Sequence, residues 1–367
     1  MVRFDLEEFF DQYEHQAGLI NLASSDALSW SASALDKRVL AEIVCGSLGY
    51  PDPKRLQGPL KHALALPVDV EVLATSGAAE AIALAMHEIA ESHSERDFVV
   101  ALPSPSYGAF RGLASLLGLK TKHYDYRPAT GWRPDLEQMC AVAKECDAFI
   151  VNNPHNPTGY VIPDEDLGHL SQILSSRGAL LIVDEVFRFP NETRSAIELD
   201  HDAVILGSLS KTHGLPGLRL GWIVARAQRL SRYRTLQQYL SLTLNSFSVA
   251  VGCSVLNDPS KFDRIKLVES NRTIVTDWAQ RLRGLISVSV PSGGTTVCVT
   301  ADDGLSEEAL FKASYNAGVL IAPGNRCFEQ GLAPTWFRLG YGGESNSLRQ
   351  GLERLEGVVY DLRGKSP

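Results

Sequence analysis

Residues 208–222 read SLSKTHGLPGLRLGW, and the reading of this stretch decides the fold. One lysine, Lys211, stands among serines, glycines and a proline, and Arg219 follows eight positions later. An apolar run, DAVILGS (202–208), leads into the stretch, and a second, LRLGWIVA (218–225), leads out of it. Glycine, proline and lysine are common in surface turns, so a turn alone would explain the composition. A lysine that must lose its proton to do chemistry, set between two strand-like runs, is the sharper explanation. The rest of the chain has to choose.

Upstream, more short apolar runs alternate with helical patterns. EVLAT (71–75), DFVVAL (97–102), DAFIVNN (147–153) and ALLIVDEV (179–186) are rich in Val, Ile and Leu and lack polar alternation, as strands buried on both faces do. AAEAIALAMHEIAES (78–92) and PDLEQMCAVAKE (134–145) read as helices, the second with Pro134 at its first position. Strand–helix alternation predicts an α/β domain with a mostly parallel central sheet flanked by helices. Further on, residues 260–284 read as one long helix stopped by Gly284. ISVSV (286–290), TTVCVT (295–300) and TWFRLGY (335–341) read as strands, with helices near 305–316 and 344–356. The expected division is a large domain, 36–258, and a smaller α+β domain made of 1–35 and 259–367.

With 367 residues, 44% hydrophobic and 21% charged, the chain can bury a core of that size. A formal net charge of −8 at pH 7 gives no support for nucleic-acid binding. The six cysteines are scattered without a CxxC pair, which points away from zinc or disulfides and toward a reducing cytoplasm. The start, MVRFDLEEFFDQYEHQ, is acidic and amphipathic, unlike a signal peptide. No apolar run reaches about 18 residues, so no membrane span is expected.

Ligands of open α/β sheets bind beyond the carboxyl ends of the strands. Ser76-Gly77-Ala78 follows one strand and opens a helix, where backbone N–H groups and the helix dipole suit phosphate. PSPSYGAF with Tyr107 follows the next, and NPHNPTG with Asn156 follows DAFIVNN. Asp184 sits inside the apolar run LLIVDEV, where a carboxylate is costly unless a cation or donors meet it. Lys211 follows DAVILGS. Pyridoxal phosphate calls for this set: a phosphate, a flat ring, a phenolic oxygen, a basic ring nitrogen, and an aldehyde that forms a Schiff base with lysine.

With these motifs in this order, the chain resembles the class I/II aminotransferase family, pyridoxal-phosphate enzymes of fold type I, from about residue 18 to 356. The resemblance implies that Lys211 in SLSK carries the cofactor and then removes the substrate's Cα proton from the external aldimine. It implies that Ser208, Arg219 and the backbone of Gly77 and Ala78 bind phosphate. Asp184 would meet the ring nitrogen, Asn156 the phenolic oxygen and Tyr107 the ring face. Arg338 in WFRLGY would fork onto the carboxylate of an amino acid substrate, with Asn156 beside it. Tyr50 in YPDP implies a homodimer in which it reaches the neighbouring phosphate.

Two departures matter. Phe187 stands where the family usually has a tyrosine that donates to the phenolic oxygen. Ser24, Ser25 and Asp26 stand in the N-terminal segment that closes over the substrate, and Ser25 is placed beside its Cα–Cβ region. The default expectation is an aminotransferase. The alternative is elimination followed by ring closure on a hydroxylated arginine, as in relatives resembling capreomycidine synthase. A decarboxylase is the third reading. A regulator that only senses the cofactor would need a DNA-binding domain, for which a chain of this length leaves no room.

Overall fold

The computed structural model describes residues 3–46, 49–91, 98–190, 192–289, 292–301, 304–328, 331–332 and 334–364. Ser92, Asp97 and Val290, at the ends of sequence-based elements, lie outside the described residues. The chain starts with helix α1 (Asp5–Tyr13), strand β1 (Ile20–Asn21) and helices α2 (Lys37–Cys45) and α3 (Gln57–Ala63). Alternation follows: β2 (Val70–Thr75), α4 (Gly77–Glu91), β3 (Val99–Ser104), α5 (Gly108–Leu116), β4 (Lys120–Asp125), α6 (Leu136–Ala143), β5 (Ala148–Asn152), α7 (Asp164–Ser175), β6 (Leu180–Asp184), β7 (Val204–Ser208) and β8 (Gly221–Arg226). Helices α8 (Ala227–Leu240), α9 (Ser246–Asn257) and α10 (Ile265–Arg281) come next. The chain ends with β9 (Ile286–Val288), β10 (Thr296–Ala301), α11 (Glu307–Asn316), β11 (Val319–Leu320), β12 (Ala322–Pro323), α12 (Gly324–Cys327), β13 (Trp336–Gly340) and α13 (Ser345–Leu362).

Seven strands form one sheet in the order β2-β8-β7-β6-β5-β3-β4. Its strands run parallel except β8, which is antiparallel to both β2 and β7. The apolar strands β5 and β7 are buried along their whole length, since helices cover both faces. Strand β4, KTKHYD, escaped the sequence reading because it is polar and half exposed. It lies at the sheet edge, where lysines suit the unpaired side.

Three differences from the sequence expectation have a local physical cause. The helix expected over 260–284 is broken: Pro259–Phe262 forms a tight turn, and Asp263 Oδ1 accepts from the Ile265 N–H at 2.7 Å to start α10. Pro134 is not the first helical residue: Asp135 caps α6, and Pro134 bridges back to Tyr126. The strand expected from 218 begins at Gly221, because residues 216–218 turn and Arg219 adopts φ +48°.

A second, antiparallel sheet has the order β12-β13-β10-β9. Strand β1 pairs with β11, and Gly340 N–H donates to Leu22 O at 2.8 Å, so the N-terminal segment runs on along β13. Leu22 shares an apolar core with Val268, Trp278, Leu339 and Leu355. Leu6 and Phe9 of α1 join another, which holds both Val151 of the large sheet and Trp336.

The large sheet meets the start of α4 closely at Gly221. A Cβ there would lie 2.5 Å from Gly77 C, 2.7 Å from Ala78 N and 2.8 Å from Gly207 O, all backbone atoms. Gly221→Ala is expected to destabilise the protein by about 1–3 kcal/mol through overpacking. The measurement is a lower urea midpoint at unchanged slope, and wild-type stability would contradict so tight an approach.

Candidate active site

The carboxyl ends of the parallel strands open into a cavity of about 440 Å³. Ser25, Ala78, Tyr107, Asn156, Asp184 and Phe187 line it, and so do Ser208, Lys211, Arg219 and Arg338. Gly77 lies against the Arg219 guanidinium at one end. Tyr50 is outside this wall: it is 83% exposed, between α2 and α3.

The Gly77–Arg219 end has the form of an anion cradle. Gly77 opens α4 at φ +72°, and a Cβ on it would fall 2.5 Å from Arg219 Nη2. The guanidinium therefore rests on the helix N-terminus, where unpaired N–H groups and the dipole already favour negative charge. Arg219 is held in its left-handed conformation by the turn at Pro216, whose carbonyl accepts from Nη1 at 3.3 Å. Ser208 ends β7 beside it, and its hydroxyl accepts from the Ser210 N–H at 3.2 Å.

Asp184 ends β6 at 4% exposure. Its Oδ1 accepts from the Val186 N–H at 3.0 Å. Burial pushes its pKa up to about 7, against the pull of that N–H and of Lys211. A cation brought against it would relieve this penalty. Asn152, paired with Asp184 across the sheet, donates to its carbonyl at 3.2 Å and accepts from the Asn156 N–H at 2.6 Å, which seats the NPHNPTG turn. His155 in that turn is a residue the sequence reading passed over. Its Nε2 donates to Pro105 O at 3.1 Å, its Nδ1 accepts from Thr158 Oγ1 at 2.9 Å, and its ring stacks on Tyr126. Burial lowers its pKa to about 3, so it stays neutral and ties the two loops together.

Arg338, on β13, reaches the same cavity at 1% exposure. Its Nη1 donates to Asn156 Oδ1 at 3.0 Å and its Nη2 to Ala23 O at 2.6 Å, while Nε has no partner. Because Oδ1 accepts from the guanidinium, Asn156 Nδ2 is the donor left for a ligand. Burial lowers the Arg338 pKa, as expected of a cation short of counter-charge.

Lys211 Nζ donates to Asp26 Oδ1 at 2.5 Å and lies 5.9 Å from the Phe187 ring centroid. Ser25 is buried in the wall, its carbonyl accepting from Thr295 Oγ1 at 2.7 Å, but the contact with Lys211 belongs to Asp26. The roof was not foreseen from sequence. Leu6, Glu7 and Phe10, on one face of α1 by helical spacing, and Glu14, just past its end, all line the cavity. The Tyr107 hydroxyl donates to Glu7 Oε1 at 3.4 Å, and Phe4 packs edge-on against the Tyr107 ring. An acidic, amphipathic N-terminus was the available signal, yet nothing local says which face looks inward.

Comparison with known proteins agrees with this geometry. Capreomycidine synthase of Streptomyces vinaceus is 30% identical over 308 residues, covering 80% of this chain and 76% of that protein. Histidinol-phosphate aminotransferase of Symbiobacterium thermophilum is 31% identical over 283 residues, covering 75% and 74%. The structure of a PLP-dependent aminotransferase from Streptococcus suis superposes with a TM-score of 0.87 at 26% identity, covering 100% of this chain and 99% of that one. Residues 54–355 match the family described as aminotransferase class I and II, so the chain belongs to that family of pyridoxal-phosphate-dependent enzymes.

Proposed function

We propose that this chain holds pyridoxal phosphate in the cavity and uses Lys211 to remove the Cα proton of an amino acid, by default in amino transfer. The observation that carries this is the convergence of one cradle, one buried acid, one oriented amide and one lysine on a single cavity wall. Arg219, Ser208 and the amides of Gly77 and Ala78 suit the phosphate. Tyr107 suits the ring face, Asn156 Nδ2 the phenolic oxygen, Asp184 the ring nitrogen and Lys211 the aldehyde. When bound, the cofactor supplies an aldehyde for amines and a ring that accepts the electrons left at Cα. Arg338 binds the substrate carboxylate and so aims Cα–H toward Lys211 Nζ. Leu6 and Phe10 of α1 add apolar lining to the cavity.

A second reading, elimination with ring closure, has its own support. Glu7, Glu14 and Asp26 line the cavity, a wall that suits a cationic side chain such as that of a hydroxylated arginine. Burial, with Asp26 nearby, raises the Glu14 pKa, and a cationic side chain brought against it would relieve that penalty. The similarity to capreomycidine synthase favours the same reading. Incubation with candidate amino acids, followed by mass spectrometry, separates the two. Amino transfer yields a keto acid and requires an acceptor. Elimination yields a product lighter by one water with no acceptor. Lys211→Ala is expected to abolish both products and the borohydride-trappable bond to the protein, and full turnover in that variant would remove Lys211 from its role.

Asp184 supplies a pH test on the cofactor-free protein. Its carboxyl titrates at 3.8 when unperturbed and at about 7 when folded, so between those values the folded chain binds more protons than the unfolded one. Its contribution to stability therefore falls as pH rises from about 4 to about 7. Asp184→Asn is expected to flatten that part of the thermal-midpoint profile, and adding cofactor to flatten it in the wild type. Identical profiles with and without the carboxyl would contradict its burial as an unmatched acid.

A homodimer in which Tyr50 reaches the neighbouring phosphate follows from the same reading. Tyr50 is 83% exposed and so is free to meet a second copy of the chain. Sedimentation at working concentration is expected to give a dimer, and an active monomer would rule out a shared site.

A further inference from the structure

The segment after β1 places an acid in the cavity that amino transfer, as assigned above, leaves without a task. Asp26 Oδ1 touches Lys211 Nζ at 2.5 Å, although 185 positions separate the two in the chain. The backbone that presents Asp26 is fixed on several sides. Leu28 N–H donates to Gly342 O at 2.8 Å, and Arg264 Nε donates to Leu28 O at 2.7 Å. Gly340 and Gly342 leave room for it: a Cβ on the first would lie 1.7 Å from Ser24 O, and on the second 2.6 Å from Asp26 O. The second oxygen, Oδ2, accepts from Ser24 Oγ at 3.1 Å. The charged groups that face Asp26 are Lys211 from the loop after β7, Arg338 from β13 and Glu14 from the end of α1, while Asp184 acts on Lys211 from β6. Burial opposes ionisation of Asp26, but Lys211 and the Ser24 hydroxyl outweigh it and hold the carboxyl below its usual range.

We propose that Asp26 is the positioning residue that stabilises positive charge on the Lys211 nitrogen whenever that nitrogen carries a proton, an inference that rests on Lys211 being the base and cofactor anchor assigned above. When the Cα–H bond breaks, the proton forms an N–H bond on Nζ, and the electron pair stays with the substrate and cofactor. The positive charge so created lies against the Asp26 carboxylate, which makes the nitrogen a better acceptor. In the resting protein, a proton on the same nitrogen while it is bonded to the cofactor meets the same carboxylate. Asp26 also holds the freed ammonium in one place, ready to return the proton to whichever atom the reaction requires.

The test uses the protein reconstituted with pyridoxal phosphate. The visible absorption of the Lys211–cofactor bond is titrated in wild type and in Asp26→Asn, which keeps the shape and loses the charge. The expected result is a midpoint lower by about one pH unit or more in the variant. Asp26→Glu, which keeps the charge, should titrate nearer to wild type. Exchange of the substrate Cα hydrogen in heavy water should slow at least about tenfold in kcat with little change in KM. Asp26→Ser removes the charge with a smaller side chain and repeats the titration if the Asn variant does not fold. Equal midpoints in wild type and both charge-free variants would overturn the proposal while leaving the assignment of Lys211 intact. A wild type with no borohydride-trappable bond at Lys211 would overturn that assignment, and this inference with it.

Discussion

A carboxyl group at the end of a central strand, buried against apolar neighbours, is the constraint around which this site is built. Asp184 lies between Asn152 and Leu206 in the sheet, and burial raises its pKa to about 7. A carboxylate so placed is stable only when a cation faces it. The strands that flank it supply the rest of the wall. β5 turns into the loop of Asn156, and β7 runs into Ser208 and Lys211. Parallel strands end on one side of the sheet, so residues far apart in sequence arrive together there.

The second sheet completes the wall by reaching across to the first. The Arg338 guanidinium ties the Asn156 side chain to the Ala23 carbonyl, joining β13, the NPHNPTG turn and the N-terminal segment in one set of hydrogen bonds. This gives the amide of Asn156 one orientation and leaves a single donor facing the cavity. Bare backbone permits the other close approaches. Gly77 admits the Arg219 guanidinium, Gly221 admits the start of α4, and Gly340 admits the carbonyl of Ser24. Any side chain at these positions would push the parts of the site away from one another.

The pairing of Lys211 with Asp26 distinguishes this cavity from a wall in which the lysine is the sole titrating group beside the substrate. In the proposed reaction, an acid in contact with the base would make proton transfer at Cα a property of the pair. Phe187, in place of a hydroxyl donor, leaves Asn156 Nδ2 to face the phenolic oxygen in the proposed complex. In the proposed complex, these two departures from the family pattern would alter how tightly a proton is held at the Lys211 nitrogen.

Much of this was legible in the chain itself. Val-rich runs without polar alternation identify buried strands, because side chains on both faces must be apolar, and β5, β6 and β7 appear where they were expected. SLSK, NPTG and the acid of VDEVF can be picked out locally, since each sits at or just past the end of a strand that can be recognised from a few residues. Other features were not legible. Strand β4 is polar because its side chains at this sheet edge are largely exposed, and α10 starts late because Asp263 caps it. The roof formed by α1 and the contact of Asp26 with Lys211 depend on where the N-terminal segment lies, which the pairing of β1 with β11 and the glycines near the end of β13 decide. Residue type and periodicity record what a position needs from its immediate surroundings. Which distant residue meets that need is settled only when the chain closes on itself and brings two groups within 2.5 Å across 185 positions.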